Sequence, residues 1–293
     1  MRPTEVCEMK TLVSIKKFYK ALLLVSLFCV AGCTKAQITG EIAPTPKPLP
    51  DAEIPKLQNP GRVVHVLVAL CDNENQGIVP VPKFLGDGED PAKNLYWGAA
   101  FGVKTFFSKS MSWTKLSEVK NPSENVLERI VFKHKTENVY LVADAYRGSR
   151  MRETINDFFA AAAGAKRENV AAQNETLQIF GSANLVAFVG HNGLMDFPLE
   201  NQPAKKDDEK RDIVILACAS RNYFTAPLRK TSAKPLLWTT NLMAPEAYIL
   251  HDALEGWTRN EPDAQIRTRA AQAYGKYQKI SLKAAQNLLV TGW

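Results

Sequence analysis

His191 and Cys218 are the two side chains whose chemistry and setting stand out in the sequence. Each follows a short apolar run, Leu185-Val-Ala-Phe-Val-Gly before the histidine and Asp212-Ile-Val-Ile-Leu-Ala before the cysteine. Runs of this length and β-branched content suit strands buried on both faces. In an open α/β sheet, sites form at the carboxyl ends of strands, so the two residues would share one crevice. A thiol placed there can serve as a nucleophile once a base takes its proton, and the acyl intermediate then needs backbone donors for its oxyanion. His191 is the candidate acid/base, and the N–H of Asn192 or Gly193, with that of Cys218, the candidate oxyanion site. Gly193 has no Cβ, which lets its backbone approach a substrate closely. The same residue types at strand ends also suit plain packing and hydrogen bonding, so spacing alone leaves both readings open.

The elements that must position this pair follow from the rest of the chain. Apolar runs predict six strands: Val63 to Leu70, Trp113 to Val119, Val139 to Ala145, the two runs above, and Leu236 to Thr240. Helical spacing predicts helices from Leu95 to Phe107, from Pro122-Ser123 through Val131, from Met151 to Ala162, and over Glu168 to Phe180. Further helices are expected from Pro245 to Trp257, from Pro262-Asp263 through Tyr277, and from Ser281 to Leu289. Arg221 to Lys234 reads as a loop. Strands alternating with helices imply an α/β fold, a three-layer arrangement with a mainly parallel central sheet of about six strands and helices on both faces. No composition shift divides Arg62 to Trp293, so residues 62–293 read as a single domain.

The first 32 residues have a different character. Lys16, Lys17 and Lys20 precede an apolar run from Ala21 to Ala31, which closes in Val30-Ala31-Gly32-Cys33. A basic start, an apolar stretch too short to span a bilayer and small residues at a cut site describe a secretory signal. The segment resembles a bacterial lipoprotein signal, which implies that Cys33 is lipidated and becomes the first mature residue. Residues 33–61, with six prolines between Pro44 and Pro60, then read as an extended tether. The expected location is the bacterial cell envelope, lipid-anchored at the outer membrane or facing the periplasm. Removing the signal takes +3 of the formal +7 charge. No basic tract with interleaved aromatics remains, so nucleic acid is not an expected partner.

Maturation also leaves Cys71 and Cys218 as the two thiols without lipid. With one strand between them their Cα atoms would lie about 9–10 Å apart, beyond disulfide reach. Scattered histidines and two thiols do not make a metal site, and no glycine-rich phosphate loop is present, so no cofactor is expected.

The pattern of apolar block, His-x-Gly, spacer, apolar block and Ala-Cys-x-Ser resembles the paired motif of the caspase-like cysteine peptidases, the superfamily of caspases, metacaspases, legumain, clostripain and gingipains. The resemblance implies a caspase-like domain in which histidine and cysteine end successive parallel strands. It makes His191 the acid/base, Cys218 the nucleophile and Gly193 part of the oxyanion site, with a peptide or protein as substrate. Asn192 stands between the histidine and its glycine, where the family has the glycine directly. Asp72, Asp144 and Asp196 are the candidates for a pocket receiving a basic side chain. The alternative keeps the fold without the chemistry, as a surface-anchored binding or scaffolding lipoprotein.

Overall fold

The computed structural model describes residues 55–293; the signal, Cys33 and most of the tether lie outside the described residues. All the described residues fall within one unit, Ala52–Trp293. In chain order the elements are β1 (Arg62–Ala69), α1 (Val103–Ser108), β2 (Trp113–Lys120), β3 (Val126–His134), β4 (Val139–Tyr146), α2 (Met151–Ala162), β5 (Arg167–Ala172) and β6 (Glu175–Phe180). There follow β7 (Leu185–Val189), β8 (Arg211–Leu216), α3 (Ser220–Leu228), β9 (Ala233–Thr239), α4 (Ala247–Thr258), α5 (Asp263–Gln278), α6 (Leu282–Leu288) and β10 (Leu289–Val290).

The class is α/β, but the sheet is larger and less uniform than the sequence predicts. Eight strands lie in the order β10-β9-β8-β7-β1-β4-β3-β2. The five from β9 to β4 are parallel, whereas β3, β2 and β10 run antiparallel to their neighbours, so the sheet is mixed rather than mainly parallel. Alternation along β1 shows how both faces are covered. Val64, Val66 and Val68 join a core with α1, α4 and α5, while Val63, Leu67 and Ala69 join one with α2, α3 and the β5–β6 hairpin. On the second face Phe158 of α2 meets Phe188 and Phe224 edge-on, both at 5.9 Å between centroids.

Four expected elements differ. The helix expected from Pro122 is β3, whose Glu128 and Arg129 are buried because each finds a charged partner. Lys104 bonds Glu128, and Arg129 donates to Asp144 from Nε and Nη2 at 2.6 and 2.8 Å. The helix expected over Glu168 to Phe180 is the β5–β6 hairpin, turned at Gln173 with φ 55°. Arg221 to Lys234 holds most of α3 rather than a loop, anchored by buried Phe224 and Leu228. The long helix from Leu95 shrinks to α1, preceded by turns.

Asp144 belongs to this interior and not to a substrate pocket. Its carboxylate is fully buried and accepts from Arg129 and from His65 Nε2 at 3.1 Å. Burial opposes its ionisation, but the bonds from Arg129 and His65 outweigh that and hold the carboxyl down at about 2. His134 closes β3, and its Nδ1 accepts the backbone N–H of Glu137 at 3.1 Å. His251 on α4 bonds Asp252 at 2.9 Å and Ser110 at 2.8 Å.

Candidate active site

The parallel register pairs Val189 of β7 with Leu216 of β8. Two residues further along each strand lie His191 and Cys218, so they leave the sheet side by side, where adjacent strands are about 4.8 Å apart. Gly190 makes the exit at φ 148°, and a Cβ there would fall 2.7 Å from the carbonyl oxygen of Ala69. A short 3-10 turn, Gly193–Met195, then folds the chain back. It brings Asp196 Oδ2 to 2.7 Å from His191 Nε2. The same oxygen accepts the Gly77 N–H at 3.0 Å, so the loop after β1 helps to hold the carboxylate. The turn requires Gly193 for a packing reason: a Cβ would sit 2.4 Å from Met151 Cγ and 2.9 Å from Phe197 Cζ.

Asn192 ties the two strand ends together. Its buried side chain donates from Nδ2 to the Cys218 carbonyl at 2.7 Å and accepts the Leu194 N–H at 3.1 Å. The residue that separates the histidine from its glycine is thus a strut between the histidine turn and the cysteine turn. Asn192→Ala would leave the partly buried Cys218 carbonyl and the Leu194 N–H without these partners. It should cost about 1–3 kcal/mol in denaturant unfolding, and it should slow thiol labelling of Cys218 as the two turns separate.

Cys218 occupies the turn between β8 and α3. Ala219 takes the left-handed conformation, φ 46° and ψ 33°, which a non-glycine residue holds only when its surroundings fix it. Those surroundings are the Ala219 N–H on Asn241 O at 2.9 Å, the Ser220 hydroxyl on Ile215 O at 3.2 Å, and the Thr239 hydroxyl on Ala217 O. The serine of Ala-Cys-x-Ser is therefore a brace for the cysteine turn. The half-buried thiol donates to Met243 O at 3.5 Å and accepts the Met243 N–H at 3.4 Å. Backbone N–H groups of Gly193 and Cys218 take no protein acceptor among the described residues.

The remaining candidates separate from the pair. Asp72 is buried in its own loop, where it accepts the N–H groups of Glu74 at 2.8 Å and Asn75 at 3.1 Å. One edge of that loop borders a cavity of 490 Å³ lined by Asp72, Glu74, Asp87 and Glu89. Cys71 is free and fully buried, and burial pushes its thiol up to about 11, which holds it protonated. One strand, β7, lies between those leading to Cys71 and Cys218, and both thiols are free. Sequence reasoning placed Asp196 in a pocket, whereas it is the partner of His191. The signal for that role was its position five residues beyond the histidine, across a glycine turn.

Comparison of the chain with family models, curated proteins and solved structures gives no match.

Proposed function

We propose that this chain is a cysteine endopeptidase of the cell envelope, with Cys218 as nucleophile and His191 as acid/base on a caspase-like domain tethered through a lipid on Cys33. The observation that carries the reading is the His191–Asp196 contact at the end of β7, beside Cys218 at the end of β8. Parallel strands bearing histidine and cysteine in succession, with helices on both faces, support the caspase-like assignment.

In this reading His191 Nε2–H donates a hydrogen bond to Asp196 Oδ2, fixing the tautomer and leaving Nδ1 for proton transfer. Cys218 Sγ attacks the peptide carbonyl carbon as its proton passes to His191. The tetrahedral oxyanion is held by the open N–H groups of Gly193 and Cys218. The C–N bond breaks, the leaving amine takes the proton from His191, and a thioester remains. Water, deprotonated by His191, then cleaves the thioester, releasing the carboxylic acid and restoring the thiol.

The test is labelling with a thiol-reactive acyl probe. Wild type should label at one residue, Cys218→Ala should not label, and His191→Ala should label much more slowly. Labelling that survives Cys218→Ala would sink the assignment. One observation favours the second reading, a binding lipoprotein without turnover: the resting thiol bonds both the N–H and the carbonyl of Met243. Uniform failure of wild type to label while peptides still bind would select it.

A further inference from the structure

We propose that the edge of the sheet bearing His191 and Cys218 recognises a peptide through large uncharged apolar side chains rather than through a basic or acidic one. This rests on the cysteine-peptidase reading above. The carboxylates bordering the pair are already committed. Asp196 Oδ2 serves His191 and the Gly77 N–H. Glu246, at the start of α4, accepts the Tyr248 hydroxyl at 2.7 Å and Gln278 Nε2 at 3.0 Å. A basic side chain entering here would find each carboxylate already sharing its charge with these donors, with one oxygen left on each.

Large apolar side chains, by contrast, stand open at the same edge of the sheet. Val79 is 88% exposed, Leu242 66% and Met195 42%. Each adjoins a group bonded to the pair. Val79 lies two residues after Gly77, Met195 directly precedes Asp196, and Leu242 directly precedes Met243, whose backbone holds the Cys218 sulfur. They come from three connections, those leaving β1, β7 and β9, which are close neighbours in the parallel part of the sheet. Tyr223, 40% exposed in α3, adds a fourth from the segment that follows Cys218. Apolar surface left in water gains when a ligand covers it. One large apolar side chain buried there is expected to change affinity about 10-fold.

Binding is best measured on full-length protein carrying Cys218→Ser, by fluorescence anisotropy with end-capped hexapeptides of Ala-Gly background that differ in one central residue: Leu, Phe, Arg or Asp. Cys218→Ala serves if the serine variant does not fold. The Leu and Phe peptides should bind about 10-fold more tightly than the Arg and Asp peptides. The double variant Met195→Ser/Leu242→Ser should abolish that preference without a change in melting temperature. Equal binding of all four peptides, tighter binding of Arg or Asp, or a preference that survives the double variant would overturn the proposal. Because no cleavage is read, an apolar preference in a protein whose wild type does not label leaves recognition standing and removes the peptidase reading. Labelling of Cys218 without an apolar preference does the reverse.

Discussion

Asp196→Asn should slow acylation of Cys218 by the acyl probe by about 100-fold or more while leaving the melting temperature nearly unchanged. The carboxylate is partly open to solvent and its partners are His191 and the Gly77 N–H, so the core loses little when it goes. What it loses is orientation. An asparagine can present its amide N–H to Nε2 and so favour the tautomer in which Nδ1 carries the proton, the wrong form for accepting one from a thiol. The comparison that separates orientation from general damage is Asp196→Glu. It keeps an acceptor and should recover part of the labelling rate, whereas His191→Ala should not be rescued by either change at position 196. A full labelling rate in Asp196→Asn would show that His191 is not positioned through this contact.

Asp144→Asn should lower the stability of the fold by about 3–5 kcal/mol, because it removes one partner of a buried pair and leaves the Arg129 guanidinium only the half-exposed Glu168 as a charged partner. Arg129 reaches Asp144 with two nitrogens and Glu168 with a third, linking β3 and β4 to the hairpin. The double variant Asp144→Asn/Arg129→Met should recover part of the loss, since the buried guanidinium is then removed as well. Acid should act in the same direction as the mutation. The Asp144 carboxyl lies at about 2 in the fold against an ordinary 3.8, so its contribution is complete above about pH 4 and is lost as the pH falls toward 2. Thermal unfolding from pH 5 to pH 2 should therefore show a drop in wild type that is smaller in Asp144→Asn.

The strands that carry the site were legible because their signal is local. β7 and β8 are short apolar runs with chemistry at their ends, and nothing distant is needed to read them. β3 was not legible. Its apolar pairs, Val126-Leu127 and Ile130-Val131, fit a helical stripe as well as a strand covered on both faces. What decides the matter is that Glu128 and Arg129 are buried against Trp97, Lys104 and Asp144, partners distant in sequence. The β5–β6 hairpin hid for a different reason. Its turn uses Gln173 at positive φ where glycine or asparagine is the usual sign. At the site, the two reactive residues could be named from sequence, but the role of Asp196 could not. A carboxylate five residues on reads as a pocket candidate until the 3-10 turn folds it back over the ring.

The strand order has one more consequence, for association between copies. A sheet ends in rows of unpaired N–H and C=O groups that invite another chain to extend it. Here one end is β10, two residues long, and the other is β2, whose exposed Lys115, Glu118 and Lys120 flank a bulge between Lys115 and Ser117. A two-residue border offers few bonds to repay ordering, and charged side chains with a bulge blunt the other border. Extension of the central sheet from one copy of this chain to another is therefore disfavoured at both of these terminal strands.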